Sequence, residues 1–303
     1  MSFNDKNHQQ LELKQQNILI LFLLQMRPKQ WTKNLLLFAA PIFSIKKIGL
    51  DDLWMTIIGF FLFCIVAGCV YILNDFMDLE ADRIHPEKRY RPMASGALNP
   101  IFAITAGGIL LVGVLVAAST INPLFMGLLL FYFILNVLYS IRLKHVVIID
   151  IMIIAAGFVL RAIAGGLVIH VNFTSWFLLC TMLLSLFLAI TKRRQEFLLF
   201  EEQKGSHRKV LESYSTDLLN QLTSIVSTLT IISYSLFTFT SGHTTYLMWT
   251  IPLVIYGIFR YLYIIHVEGN GGAPEKVLLE DKHILSTVCL YAVTVIIIIV
   301  FFD

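Results

Sequence analysis

Nine apolar stretches, each long enough to cross a bilayer, dominate this 303-residue chain. The hydrocarbon core of a membrane requires about 20 apolar residues per helix. The stretches are residues 18–44 (interrupted by polar residues 27–33), 53–74, 101–119, 122–139, 146–169, 173–190, 218–240, 245–266 and 283–302. With 57% hydrophobic and 14% charged residues, a soluble chain of this kind would expose large apolar patches. The composition therefore excludes a cytosolic enzyme, a secreted disulfide scaffold and a disordered tail protein.

We predict an all-α, polytopic membrane protein of about nine transmembrane helices. Residues 1–17 form an N-terminal cytoplasmic arm in this prediction, and residues 18–303 form one integral-membrane domain. No pattern typical of a cleaved signal peptide precedes the first stretch, so we expect that span to be retained.

The distribution of basic residues predicts the orientation of these spans. Of the 23 Lys and Arg residues, 20 lie in the N-terminal segment or in the loops on the same side of the membrane. The other side holds only Lys46 and Lys47, and Arg161 lies inside a span. Basic loops face the cytoplasm in most membrane proteins. We therefore expect a protein of the cytoplasmic (inner) membrane, with its N-terminus and active site on the cytoplasmic side and its C-terminus outside.

A row of acidic residues follows the second apolar stretch. Asn74, Asp78 and Asp82 are spaced four residues apart, and Asp75 precedes Asp78 by three. On a continuous helix these side chains share one face. Oxygen ligands in partial number suit Mg²⁺, which usually keeps waters and shares substrate phosphates. An ordinary charged helix end that projects into water is the alternative interpretation.

Basic residues come directly after this acidic row. They are Arg83, His85, Lys88, Arg89 and Arg91. Acidic groups for a metal beside basic groups for phosphate oxygens are typical of a diphosphate site. The segment from Asn74 to Arg91 therefore predicts a Mg²⁺-dependent site for a phosphorylated substrate.

The motif NDxxDxxxD, from Asn74 to Asp82, resembles the first motif of the UbiA-type intramembrane prenyltransferase superfamily. Within it the chain is most similar to the decaprenyl-phosphate phosphoribosyltransferase branch. Four further segments carry that resemblance: 27–34 (RPKQWTKN), 82–92, 143–145 with Asp150, and 268–275.

The resemblance implies helices around a central cavity that opens laterally to lipid. It also implies Mg²⁺-dependent transfer of a 5-phosphoribosyl group from phosphoribosyl pyrophosphate to a polyprenyl phosphate of the decaprenyl type, with release of pyrophosphate. Such an enzyme would be a glycosyltransferase of cell wall biosynthesis.

One segment departs from the wider superfamily. After the sixth stretch, where aromatic prenyltransferases carry a second aspartate-rich motif, this chain has Thr191, Lys192, Arg193, Arg194, Gln195 and Glu196. Three cations in place of carboxylates favour direct phosphate binding over binding through a metal.

These observations assign roles to individual residues. The metal ligands are Asn74, Asp75, Asp78 and Asp82, and the three aspartates are also the catalytic candidates. The main phosphate ligands are predicted to be Lys88, Arg89, Lys192, Arg193 and Arg194. Further substrate contacts are expected from Lys29, Lys33, Arg83, Arg91, Tyr139 and Lys144.

Two residues keep alternative interpretations. Asp150 either pairs with Lys144 or Arg142 as a structural clamp or contacts the substrate. Arg161, a costly charge inside a span, is expected to line a cavity or to have an internal partner.

Two other functions remain open at this point. One is an ordinary UbiA-type prenyltransferase that attaches an isoprenyl chain to an aromatic or quinone precursor. The other is a lipid-binding or transport protein that has kept the acidic motif without catalysis. Membrane lipids are expected partners and nucleic acid is not, while self-association into a homo-oligomer stays open.

Overall fold

The computed structural model describes residues 16–86, 88–203, 209–269 and 274–303, and within these ranges the regular structure is helical. Most of the predicted N-terminal arm, with Lys6 and Lys14, lies outside the described residues, as do Lys204, Arg208 and residues 270–273 of the late glycine-rich segment. The α-helices are α1 (Ile18–Gln25), α2 (Ala39–Phe43), α3 (Leu50–Met77), α4 (Leu79–Ile84), α5 (Pro100–Ile121), α6 (Pro123–Ile141), α7 (Ile149–Val168), α8 (Ser175–Gln203), α9 (Thr216–Thr240), α10 (Ile251–Tyr263), α11 (Pro274–Glu280) and α12 (Lys282–Phe302).

Shorter helical turns connect them. These are 3₁₀ segments at Pro28–Phe38, Lys88–Tyr90, Leu143–His145, Lys209–Ser213 and Thr245–Thr250, and a π-helical turn at Ile264–Glu268.

Eight helices in the described part of the chain are long and apolar enough to cross a membrane. They correspond to the second through ninth predicted stretches, so the all-α, polytopic class is confirmed. The first predicted stretch, 18–44, is instead divided into α1, the 3₁₀ segment Pro28–Phe38 and α2. Arg27 takes up a left-handed conformation (φ 54°, ψ 65°) between α1 and Pro28, which ends the first helix there.

The 3₁₀ segment Pro28–Phe38 is embedded in the helix bundle. Leu37 and Ala40 are fully buried in one core with Phe63 of α3 and Ala164 of α7. A Cβ atom on Gly165 would lie only 2.2 Å from the carbonyl oxygen of Leu37. Glycine at this position therefore allows α7 to approach the backbone of the 3₁₀ segment directly.

Helix α8 packs between α7 and α9. Its buried residues Phe187 and Ile190 share a core with Leu219 of α9 and Ile258 of α10. This packing holds the next turn of α8 against the first turn of α7. The turn of α8 carries the cations at 192–194, and the turn of α7 contains Asp150.

Candidate active site at the charged end of the bundle

The acidic row lies across a break between two helices. Helix α3 ends at Met77, Asp78 takes φ −93° and ψ 9°, and α4 begins at Leu79. The amide of Asp78 still donates to the carbonyl of Asn74 (3.0 Å), and that of Asp82 to the carbonyl of Asp78 (2.8 Å). The expected continuous helix is therefore interrupted at Asp78. The acidic side chains consequently divide into two groups.

Asp75 belongs to the first group and is buried. Its Oδ2 accepts a hydrogen bond from Gln25 Nε2 (2.6 Å). Its Oδ1 accepts from Arg27 Nη2 (2.5 Å) and from Arg91 Nη1 (3.0 Å). Two arginines and an amide of the protein thus give both oxygens of this carboxylate a hydrogen-bond partner.

Asp82 is also buried and lies beside Asp75. Arg91 Nη1, which contacts Asp75, also donates to Asp82 Oδ2 at 2.5 Å. Lys88 Nζ lies 3.9 Å from Asp82 Oδ1. One arginine therefore bridges two acids that are seven residues apart, and Lys88 lies beside the second of them.

Asp78 forms the second group and is the most accessible of the three aspartates, with its side chain 33% exposed. Lys144 Nζ lies 3.2 Å from its Oδ1 and 3.5 Å from its Oδ2. The predicted role of Lys144 at this site is compatible with that contact, which connects the segment between α6 and α7 to the acidic row.

Asp150 pairs with neither Lys144 nor Arg142, so that predicted clamp is wrong. Its Oδ2 lies 2.7 Å from Arg193 Nη2, and both side chains are almost fully buried. Arg193 also pairs with Glu196. The packing of α8 against α7 makes Arg193 the nearest cation to Asp150. The guanidinium that was predicted to hold a phosphate therefore has two internal carboxylate partners.

Tyr214 completes this junction. Its hydroxyl donates to Asp150 Oδ1 (2.7 Å) and accepts from the amide of Ile148 (2.9 Å). Ile148 has a positive φ of 69°, which is unusual for a β-branched residue. Burial, and then the hydrogen bond to Asp150, raise the pKa of the Tyr214 hydroxyl, so it stays a neutral donor at physiological pH.

The other two cations of α8 differ from each other. Arg194 is buried and donates to Asn220 Oδ1 (2.7 Å) and to the carbonyl of Ile265 (3.2 Å). Lys192 is half-buried, and no ion pair joins it to any acid in the described ranges. Arg194 has no acid partner either, but its guanidinium is held by these hydrogen bonds; of the three predicted phosphate ligands on this turn, Lys192 is therefore the one held by neither an ion pair nor a hydrogen bond in the described ranges.

The remaining predicted ligands have separate environments. Arg83 pairs with Glu80 at the surface (2.8 Å), and Arg89 Nη2 donates to the hydroxyl of Tyr90 (2.6 Å). Lys29 is exposed. Lys33 and Tyr139 line a cavity of about 130 Å³ enclosed by the 3₁₀ segment Pro28–Phe38, α3, α6 and α7.

Sequence reasoning missed two of the closest contacts to the acidic row, Gln25 and Arg27. Both contact Asp75, and the Arg27 guanidinium also lies 4.9 Å from the centre of the Tyr71 ring. Arg27 belongs to the segment 27–34 that carries the family resemblance, and it stands directly before Pro28. Those two features were the signal by which it could have been included among the predicted site residues.

A larger cavity, of about 460 Å³, lies at the opposite end of the bundle. Lys46 and Lys47 line it, together with His243, whose Nδ1 lies 2.6 Å from Asp303 Oδ2. Among the described residues that line it, Asp303 is the only acid, so this larger space has no counterpart of the acidic row around Asp78.

No group of three or more His, Cys, Asp or Glu side chains in the described ranges is arranged as a ready metal site. Mg²⁺ bound with a substrate does not require one, because it commonly takes one or two carboxylates plus phosphate oxygens and waters. The oxygen donors of Asn74, Asp78 and Asp82 fit such a hard cation. Their role as ligands stays a prediction.

Comparison with known proteins decides the family. Residues 35–279 match the model of the UbiA prenyltransferase family. The chain belongs to that family. The resemblance read from NDxxDxxxD is thereby confirmed, and the family together with the apolar helices identifies an integral membrane protein.

Two curated relatives carry the same name, decaprenyl-phosphate phosphoribosyltransferase. The protein from Corynebacterium glutamicum is 37% identical over 272 residues, covering 85% of this chain and 80% of that protein. The one from Mycolicibacterium smegmatis is 32% identical over 271 residues, covering 84% and 85% respectively.

A solved structure shares the fold. The UbiA homologue from Archaeoglobus fulgidus bound to DMAPP and Mg²⁺ superposes with a TM-score of 0.69 at 18% identity. The match covers 92% of this chain and 99% of that one. The fold is therefore that of the UbiA family over nearly the whole chain.

Proposed function

We propose that this protein transfers a 5-phosphoribosyl group from phosphoribosyl pyrophosphate to a polyprenyl phosphate and releases pyrophosphate. The observation that carries the proposal is that the acidic row and the cations of α8 meet at one end of the bundle. Lys144 contacts Asp78 just before α7, and Asp150 at the start of α7 contacts Arg193 of α8. The names of the relatives from Corynebacterium glutamicum and Mycolicibacterium smegmatis support the same reaction.

Asn74 and Asp78 would hold Mg²⁺ on the pyrophosphate end of the donor, and Asp82 would join them by exchanging its contacts with Arg91 and Lys88 for the ion. Asp78 is the accessible ligand, and in the described part of the chain Lys144 is the ion-pair partner of its carboxylate. Bound there, the ion would supply charge neutralisation for the leaving pyrophosphate. Asp75 has one arginine more than Asp82, because Arg27 contacts it in addition to Arg91. In our proposal Asp75 positions these two arginines.

The bond changes are a substitution at C1 of the ribose. The bond from C1 to the pyrophosphate oxygen breaks, and both of its electrons leave with pyrophosphate. An oxygen of the polyprenyl phosphate forms the new bond to C1 from the opposite face. Because that oxygen is already anionic, the reaction needs no general base. Positioning of the two substrates and stabilisation of the charge on the leaving group account for the rate acceleration.

The cations divide the work of binding in this proposal. Lys88 lies 3.9 Å from Asp82 Oδ1 and, with its chain neighbour Arg89, serves the leaving pyrophosphate, as do Arg83 and Lys29. Lys192, with its charge not matched internally, serves the lipid phosphate that arrives along α8. Arg193 and Arg194 position this turn of the helix through their internal contacts.

In our proposal the site lies on the cytoplasmic side of the inner membrane, because phosphoribosyl pyrophosphate is a water-soluble donor and the basic loops favour that side. Membrane lipids then surround the acceptor chain. Self-association into a homo-oligomer stays a prediction.

One experiment separates this function from the alternatives. Purified protein in lipid nanodiscs is incubated with Mg²⁺ in two mixtures, one with labelled phosphoribosyl pyrophosphate and polyprenyl phosphate, the other with isoprenyl diphosphate and 4-hydroxybenzoate. We expect product in the first mixture only, and much less of it with Asp78→Asn. Product in the second mixture alone would identify an aromatic prenyltransferase, and product in neither would support a lipid-binding or transport protein.

A further inference from the structure

The cavity of about 130 Å³ between the 3₁₀ segment Pro28–Phe38, α3, α6 and α7 contains a charge that the proposed reaction has not used. Arg161 lines it together with Lys33, and the polar groups of Asn136 and Tyr139 line it as well. Arg161 lies 11 residues along α7 from Asp150, which places it about 16 Å from the charged end of the helix.

The partners of Arg161 are all neutral. Its Nε donates to Asn34 Oδ1 (2.7 Å) and its Nη2 donates to the hydroxyl of Tyr132 (2.8 Å). The rings of Phe63, Tyr132 and Phe158 lie within 5.6 Å of the guanidinium carbon. Throughout the described ranges, Arg161 forms no ion pair with an acid. A buried cation in a membrane span normally has a counter-charge or faces a site that receives one.

The third nitrogen of Arg161, Nη1, lies beside a glycine that lines the same cavity. Gly157 also lines the cavity, and a Cβ atom at that position would lie 3.2 Å from Arg161 Nη1. The missing side chain leaves Nη1 accessible from the cavity, while Nε and Nη2 are fixed by Asn34 and Tyr132.

Helix α3 connects this cavity to the acidic row. Tyr71 lines the cavity and is three residues from Asn74 and seven from Asp78. Residues with these spacings lie on one face of a helix, and seven residues rise about 10 Å. The cavity and Asp78 thus lie at two ends of one stripe. The rise of about 10 Å separates Asp78 from the edge of the cavity at Tyr71, and Arg161 lies deeper, so a donor with a phosphate at one end of a sugar and a diphosphate at the other would enter the cavity phosphate first.

We propose that Arg161 and Lys33 bind the 5-phosphate of the ribose donor, while the pyrophosphate end lies at Asp78. This assignment rests on the proposed function. The polar lining favours the sugar over the acceptor, because hydroxyl and amide groups of Tyr139 and Asn136 match ribose hydroxyls and an apolar polyprenyl chain offers no such partners.

The test uses the intact protein in nanodiscs and a probe that carries only one end of the donor. Thermal unfolding is measured with and without ribose 5-phosphate, in the absence of Mg²⁺ and acceptor, for the wild type, Arg161→Met, Arg161→Lys and Lys33→Met. Arg142→Met serves as the matched control, because Arg142 is an exposed arginine outside the cavity. We expect ribose 5-phosphate to stabilise the wild type and the control, but not Arg161→Met or Lys33→Met.

Kinetics supply the second readout. Loss of one charged contact is expected to raise the KM for phosphoribosyl pyrophosphate about tenfold or more, with the KM for polyprenyl phosphate unchanged. Arg161→Lys keeps the charge and should recover part of the affinity. Lys33→Met decides the matter if Arg161→Met does not fold.

Two results would overturn the assignment. One is an increase in the KM for polyprenyl phosphate alone, and the other is stabilisation by ribose 5-phosphate that does not depend on Arg161 or Lys33. Failure of the proposed function has a different outcome. The wild type would then form no product from phosphoribosyl pyrophosphate, although Arg161-dependent binding of ribose 5-phosphate would still be observed.

Discussion

Arg193 Nη2 lies 2.7 Å from Asp150 Oδ2, and the two side chains are 3% and 0% exposed. This ion pair joins α8 to the first turn of α7. Tyr214 binds the same carboxylate and also holds the amide of Ile148. The position of Lys192, one residue before Arg193, therefore depends on a contact that itself binds no substrate in our proposal.

Removing one partner of this pair should destabilise the protein strongly. Arg193→Met leaves the Asp150 carboxylate buried without its cation, which typically costs about 3–5 kcal/mol. We expect a clear fall in the thermal unfolding midpoint in detergent, measured by tryptophan fluorescence.

The exposed pair between Arg83 and Glu80 provides the control. Exposed ion pairs contribute little to stability, so Glu80→Gln should leave the midpoint almost unchanged. If Arg193→Met unfolded at the wild-type temperature while catalysis was lost, Arg193 would be a substrate ligand and not a positioning residue.

The sequence predicted the helices well because their signal is local. Long apolar stretches define eight of the spans without reference to any other part of the chain. For the stretch 18–44 the sequence predicted the interruption at residues 27–33 but not the 3₁₀ geometry that follows, because that geometry depends on tertiary contacts. The backbone of the 3₁₀ segment at Leu37 packs against Gly165, which lies 128 residues later in the chain. No local sequence pattern predicts that contact.

The chemical types at the site were predictable, but the pairings were not. The motif from Asn74 to Asp82 identifies the acids, and helical spacing suggested that Asp78 and Asp82 act together. The break at Asp78 instead brings Asp82 to Asp75 through Arg91. Which cation meets which acid is decided by the packing of separate helices, as the partners Arg193 and Asp150 also illustrate.

Asp75 and Asp78 should respond differently to neutralisation. Asp78→Asn removes an accessible oxygen ligand, so we expect transfer to fall by at least about 100-fold, with a higher Mg²⁺ requirement and an unchanged unfolding midpoint. Asp75→Asn leaves Arg27 and Arg91 without their shared carboxylate and should lower the midpoint. Mg²⁺ titrations of activity, combined with thermal unfolding, measure both effects. An unchanged Mg²⁺ requirement in Asp78→Asn would contradict the metal assignment.

Lys192 and Arg194 form a second contrasting pair. Lys192→Met removes a cation without an internal acid partner, so we expect normal folding and about a tenfold higher KM for polyprenyl phosphate. Arg194→Met removes the hydrogen bonds to Asn220 and to the Ile265 carbonyl, so we expect a lower unfolding midpoint. Steady-state kinetics with each substrate varied in turn separate the two. A raised KM for phosphoribosyl pyrophosphate in Lys192→Met would move Lys192 to the donor site.

A substitution of Gly165 tests whether the 3₁₀ segment Pro28–Phe38 is held in place by close backbone contact with α7. In Gly165→Ala the new methyl group would lie 2.2 Å from the carbonyl oxygen of Leu37, so the 3₁₀ segment or α7 has to move. Overpacking of this kind costs about 1–3 kcal/mol. Asn34, which holds Arg161, lies on the same segment, so activity should fall together with the unfolding midpoint.

Gly113→Ala is the matched control for this change. Gly113 also lies within a membrane-spanning helix, but a Cβ atom there would meet nothing within 4 Å. Alanine has the higher helix propensity, so this variant should unfold at the wild-type temperature or slightly above it and keep full activity. Equal stability of Gly165→Ala and Gly113→Ala would mean that α7 and the 3₁₀ segment are not in close contact. The close packing that positions Asn34 and Lys33 beside Arg161 would then be absent.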